Sequence, residues 1–328
     1  MKERFDEIDI VKGLAMLTVL FNHSFILFPI NIHDRWWSVW IQDINSTFFI
    51  GSFFLVSGYL FNSSSRPQRP DMSLLVKKLK RLIIPYLSCS VLNYLVKLIA
   101  PSLVNKQVGS VGDYMMDVLL YGGEMWFLYV LFIIFLIGMV VLPYLSKKII
   151  GFITLILFIY DLYIDGIYAE GIFMWPQVIH YSVFFLCGFM LREIPEFRDF
   201  IKNPKSLMAS SVLFLLCCII LINHIQKFVL GWPILCVIGC WFVWSLSSWL
   251  TRYDVAVNCL GYVGKNSLGY YWLNGYVLVL ARSFVVSILD INSGPVVVMS
   301  IFLMCAIVET LMIIIIKKMP KVGILIGV

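Results

Sequence analysis

The chain has 328 residues, of which 61% are hydrophobic, 16% aromatic and only 13% charged, and its mean hydropathy is +0.91. These values exclude a soluble globular domain and define a polytopic membrane protein, surrounded by membrane lipids. A net charge of +6 would suggest nucleic acid in a soluble domain, but here the basic residues sit in short segments between apolar runs, where they orient helices, so no nucleic-acid binding is expected.

Apolar windows of about 20 residues, the length that crosses a bilayer, fall at 10–29, 44–62, 81–100, 125–143, 147–164, 173–191, 206–224, 228–250, 264–288 and 295–316. An all-α fold of about ten transmembrane helices is predicted, as one domain over residues 1–328. With the N-terminus cytoplasmic, 19 of the 25 Lys and Arg lie in inner segments. Arg35, Lys106 and Lys227 in outer loops, with Lys97 and Arg282 near outer helix ends, make 5 outside. That asymmetry is what the positive-inside rule demands and puts both termini in the cytoplasm. In a bacterial cell this is a multi-pass protein of the inner (cytoplasmic) membrane. A homo-oligomer is compatible with this reading.

The first helix carries Lys12 near one end and His23 near the other. Eleven residues apart, they fall within roughly 20° of one helix face and about 16 Å from each other. Asp9, Met16 and Val19 lie on nearly the same stripe. Charges within a membrane helix are costly and usually face protein or water, so this stripe should line a cavity. The alternative is that Lys12 and His23 snorkel to the two interfaces. The N-terminus superficially imitates a signal peptide, but acidic residues crowd it and the run ends in Asn22-His23, not a small-residue cleavage site; it reads as a permanent span.

In the second helix, Phe53-Phe54-Leu55-Val56-Ser57-Gly58-Tyr59-Leu60 places small residues together, which suits tight helix packing or a ligand chain passing Ser57; Tyr59 suits a substrate contact or an interfacial ring. Ser63 to Pro70 reads as a cytoplasmic loop. Lys77-Lys78-Leu79-Lys80-Arg81, just ahead of Pro85, is a topology signal or an anion site for the phosphates of a nucleotide or coenzyme. The longest outer loop, about 101–124, carries Asp113, Asp117 and Glu124. Glu124 suits a hydrogen bond from a sugar hydroxyl, and Trp126 beside it an acceptor contact or the aromatic belt. The loop at about 165–172 carries Asp165 and Glu170. His180 reads as a satisfied core histidine. Asn274 is buried and needs a hydrogen-bond partner.

The eight cysteines, at 89, 187, 217, 218, 236, 240, 259 and 305, form no CxxC pair and read as small buried hydrophobes. Cys236 and Cys240 share a helix face, but their neighbours supply no further ligands, so no metal is expected. No Ser-His-Asp spacing, HExxH, P-loop or dinucleotide fingerprint occurs. Nor does an internal repeat, which argues against transporter folds built from duplicated halves.

Taken together, Arg4-x4-Asp9-x2-Lys12-Gly13-x9-His23, FFLVSGYL at 53–60, RLIIPY at 81–86, MWFLYVLF at 125–132, FFLCGFML at 184–191 and GKNSLGYYWL at 264–273 resemble acyltransferase family 3, and within it the fucose 4-O-acetylase-like members. The resemblance runs through the whole chain in order. It implies an O-acetyltransferase that takes acetyl from cytoplasmic acetyl-CoA and places it on a hydroxyl of a glycan. It implies catalysis for His23 and a shared functional motif for Lys12, where many members carry arginine. Lysine keeps the charge and loses the two-pronged donor. Asn274 stands where relatives often have histidine, so no proton-transfer role is expected of it.

On this reading Lys12, Ser57, Lys78, Lys80 and Arg81 hold the donor, with Arg4 and Asp9 orienting Lys12 or the donor. His23 acts as general base or as acyl carrier. Asn22, Tyr59, Glu124, Trp126 and Asn274 contact the acceptor, a cell-surface polysaccharide or its lipid-linked sugar precursor. The rival from another class is a glycan or small-metabolite transporter or flippase with Lys12 and His23 as a proton relay. The basic inner cluster and the missing repeat favour the enzyme.

Overall fold

The computed structural model describes residues 6–64, 72–99, 109–164, 171–223 and 231–328; among these it is helical, with no strand. Arg4 lies outside the described residues, as do Arg66, Arg69, Lys106, Asp165, Glu170 and Lys227. Each predicted window coincides with a helix: α1 (Asp6–His23), α3 (Phe49–Ser64), α5 (Ile84–Ile99), α7 (Trp126–Val141), α8 (Lys147–Ile164), α9 (Trp175–Glu193), α11 (Pro204–Ile222), α12 (Trp232–Leu250), α14 (Ser267–Arg282) and α15 (Gly294–Ile316). Eight described helical runs are long and apolar enough to cross a membrane. By that measure α1 and α8 fall short, because Asp6, Glu7, Asp9 and Lys12 crowd the one and Lys147, Lys148 and Asp161 the other.

Helix α1 starts before its predicted window and stops at His23, short of residue 29. Its first turn holds Asp6, Glu7 and Asp9, and carboxylates favour the N-terminal end of the helix dipole. Shorter helices fill segments read as loops: α2 (Trp36–Ser46), α4 (Met72–Lys78), α6 (Val111–Tyr121), α10 (Pro195–Lys202), α13 (Asp254–Lys265) and α16 (Pro320–Ile326). The predicted outer loop at 101–124 is thus helical in part. Ser110 Oγ accepts from the Asp113 N–H and Asp113 Oδ2 from the Ser110 N–H, a capping box that starts α6, and Gly122 at φ 74° ends it.

Between α4 and α5 the chain makes a π-helical turn over Leu79–Ile83. Pro85 has no N–H to give the carbonyl four residues back and its ring crowds that carbonyl, so a wider turn fits here. Such turns recur at functional sites.

Two pairs of helices touch backbone to backbone. A Cβ on Gly58 would collide with the Phe185 carbonyl oxygen and one on Gly188 with that of Leu55, joining α3 to α9; one on Gly13 would collide with the Leu260 carbonyl oxygen and one on Gly264 with that of Asp9, joining α1 to α13. Within lipid, where apolar surface gains little from leaving the solvent, this close van der Waals approach is a main source of helix association. The small residues in the second predicted helix thus split their work: Gly58 packs, while Ser57 faces a cavity.

The buried side chains form two clusters, one around Phe54, Leu128, Ile134, Phe184 and Leu235, the other around Leu20, Tyr270, Val297 and Ile301. Helix α1 serves both, with Ile8 and Val11 in the first and Met16, Val19 and Leu20 in the second.

His180 does have a core partner. Its Nδ1 lies 2.7 Å from Asp161 Oδ2, with both side chains at most 1% exposed, between α9 and α8. Among the described residues Asp161 Oδ1 and His180 Nε2 have no hydrogen-bond partner. Removing one member leaves the other buried and uncompensated, so His180→Ala should cost about 3–5 kcal/mol of stability. A thermal-unfolding midpoint in detergent measures this. Because the pair does not line the cavity described next, substrate KM values of the folded fraction should stay within about twofold.

Candidate active site

One cavity of about 260 Å³ runs along α1, walled by α1, α3, the π-turn, α7 and the start of α14. From α1 it takes Lys12, Met16, Val19 and His23, whose spacing of four, three and four residues is a single helix face. Residues 53, 56, 57 and 60 of α3 and 128, 131 and 135 of α7 repeat that period from the other sides. The wall is largely Phe, Leu, Val and Ile, with polar groups at the two ends.

Three cations gather at the basic end, Lys12, Lys78 and Arg81. Lys12 Nζ is 2.9 Å from Asp9 Oδ1, and Asp9 Oδ2 lies 3.9 Å from Lys265 Nζ, so one carboxylate braces two lysines on α1 and α13. Lys78 Nζ sits 3.7 Å above the Phe135 ring centroid, within cation–π distance. Lys80 is exposed and points away from the cavity.

His23 and Glu124 mark the other end, where Trp126 also lines the wall. His23 is the last residue of α1; it is exposed and lines the cavity. Its Nδ1 is 2.5 Å from Asn274 Oδ1. Asn274 Nδ2 in turn donates to Glu309 Oε1 at 3.0 Å. With its amide nitrogen committed to the carboxylate, Asn274 presents a carbonyl oxygen to His23. Nδ1 therefore donates to Asn274, which leaves Nε2 as the ring nitrogen available for chemistry. Asn274 and Glu309 are 1% and 0% exposed, and among the described residues Glu309 Oε2 has no hydrogen-bond partner.

Glu124 accepts an ion pair from Lys97 at 2.6 Å, and Lys97 is only 9% exposed at its side chain. The sequence reading placed Lys97 merely near a helix end and did not pair it.

Of the predicted site residues, Lys12, His23, Ser57, Lys78, Arg81, Glu124 and Trp126 come together on this wall, while Asp9 and Asn274 stand directly behind Lys12 and His23. Asn22 does not join them: its Oδ1 accepts from Asn45 Nδ2 at 3.3 Å, towards α2. Tyr59 is 1% exposed, with Arg192 Nη1 donating to its hydroxyl at 3.1 Å, so it braces α3 against α9. Glu309 was missed, although it is the one charged residue in the apolar run of α15, a signal of function in its own right.

Among the described residues no three His, Cys, Asp or Glu side chains are grouped to hold a metal ion, and none of the eight cysteines forms a disulfide.

This is an all-α, multi-pass membrane protein with a polar-ended cavity inside its helix bundle. Residues 5–315 match the acyltransferase domain of acyltransferase family 3. The chain belongs to that family and is a membrane acyltransferase. No curated protein and no solved structure matches it.

Proposed function

We propose that the protein is an O-acetyltransferase of the inner membrane, moving acetyl from cytoplasmic acetyl-CoA to a hydroxyl of a cell-surface polysaccharide or its lipid-linked precursor. One observation carries the reading: a single cavity is lined both by three basic side chains and by a histidine whose Nδ1 is held by Asn274. At 260 Å³ that space is below the usual size of a site enclosing a whole drug-sized ligand, about 300–1,000 Å³. It suits the slender pantetheine arm, with the nucleotide and its phosphates left at the basic end.

Lys78, Arg81 and the Asp9-braced Lys12 pair with the donor phosphates. The thioester then lies near His23, about 16 Å further along α1. His23 Nε2 takes the proton of the acceptor hydroxyl as its oxygen attacks the thioester carbonyl. An O–C bond forms, the C–S bond breaks, and the proton passes to the departing thiolate to give free coenzyme thiol and the acetyl ester. Asn274, fixed by Glu309, stabilises the imidazolium by holding its Nδ1–H. In the covalent variant Nε2 attacks the thioester carbonyl and expels the coenzyme thiolate, and the acceptor hydroxyl then takes acetyl from the ring, its proton going to the thiolate as the N–C bond breaks.

The test is transfer itself. Membranes containing the full chain, given acetyl-CoA labelled in the acetyl group, should put label on envelope glycans, released by mild alkali as acetate. Membranes lacking the chain should not. Label that stays with the coenzyme in both overturns the reading.

A further inference from the structure

A second cavity, of about 370 Å³, opens beside the histidine end of the first and shares Phe49, Ile50 and Trp126 with it. The remaining wall comes from Ser46, Met174, Gln177, Tyr181 and Trp232. Trp126 and Tyr181 stand with ring centroids 5.9 Å apart, and Tyr181 is stacked on Phe54 at 4.4 Å, so the aromatic surface is rigidly backed. Its polar residues supply an amide, a hydroxyl, a phenol and two indoles. Among the described residues this wall holds no carboxylate, ammonium, guanidinium or imidazole.

Resting on the acetyltransferase reading, we propose that this vestibule selects an uncharged pyranose ring of the acceptor. The C–H face of such a ring lies against aromatic side chains, and its hydroxyls exchange hydrogen bonds with Gln177 and Ser46. A uronate or an ammonium sugar would lose hydration there and meet no opposite charge. The shared wall at Trp126 then delivers a ring hydroxyl from the vestibule to the histidine end of the central cavity. Gln177 is the specificity-determining residue in this arrangement.

The experiment uses membranes with the full chain, labelled acetyl-CoA and methyl pyranosides of glucose, galactose and mannose beside the matching methyl uronosides, with transfer to total envelope glycans followed in parallel. The best uncharged pyranoside should exceed its uronoside at least about tenfold in kcat/KM, and Gln177→Leu should raise its KM about tenfold while leaving kcat within about twofold. Gln177→Glu keeps the shape and adds a charge; it should raise transfer to methyl glucosaminide relative to methyl glucoside by about tenfold, a gain that misfolding does not produce. If envelope glycans are labelled while uronosides match the uncharged rings, no pyranoside is accepted, or neither variant changes the preference, the vestibule proposal is overturned and the acetyltransferase reading stands. If neither envelope glycans nor pyranosides take label, both fall together.

Discussion

Membranes carrying His23→Ala, matched for protein level, are expected to transfer acetyl to glycan about 100- to 10,000-fold more slowly than wild-type membranes, the range associated with loss of a positioned general base. The ring is the one imidazole on the cavity wall among the described residues. Its Nδ1 is occupied by Asn274, so the proposed base is Nε2. The donor KM should change little, because the cations proposed to hold the coenzyme lie at the far end. Asn274→Ala gives the intermediate case. It leaves the imidazole in place without its orienting partner, and kcat should fall by about 10- to 100-fold, as for other small misplacements of a reacting group. Equal labelling by wild type and His23→Ala removes His23 from the mechanism. Background labelling by both, with glycan or metabolite flux that depends on His23, replaces the enzyme with the transporter.

The second large effect separates two neighbouring residues. Arg81→Ala should raise the KM for acetyl-CoA about 10- to 100-fold, corresponding to about 1.5–3 kcal/mol for a hydrogen bond to a charged group. Lys78→Ala should do the same to a similar degree. Lys80→Ala, in the same basic run but off the cavity, should stay within about twofold, the ordinary outcome for an exposed surface charge. Raising salt from 0.1 to 1 M shortens the screening length from about 10 to 3 Å, so the wild-type KM should rise with salt and that of Arg81→Ala should rise less. Equal effects at Lys80 and Arg81 would mean that the run acts as a diffuse field and not as a site.

The helices were legible because apolar run length reports bilayer thickness directly, and all ten windows coincide with helices. The face of α1 was legible too, since its period puts Lys12, Met16, Val19 and His23 in line. Partners were not. His23 meets a residue 251 positions away and His180 one 19 away on the preceding helix; a sequence gives face and depth but not which helix stands opposite. Helix geometry also separates neighbours in the sequence. Ser57 and Tyr59 differ by about 200° around a helix, and Asn22 and His23, like Lys80 and Arg81, by about 100°, so these pairs were poor candidates to share one wall. The Ser-x-x-Asp cap at 110–113 also announced α6. Helix α13 carried no spanning signal, at 12 residues, because it packs on α1 without crossing the bilayer's full width.

That packing has a consequence for carrier choice. With the α1 and α13 backbones in contact at Gly13 and Gly264, α1 is a stiff rod, and both ends of the cavity are marked on it. The eleven-residue rise from Lys12 to His23, about 16 Å, is therefore a gauge built into the main chain. A thioester on a truncated arm leaves either the cations unmet or the imidazole out of reach. On the proposed mechanism donor identity is read chiefly as length, and the acyl group is judged separately, by how well it fits among Phe49, Phe53, Trp126 and Phe127, which line the cavity.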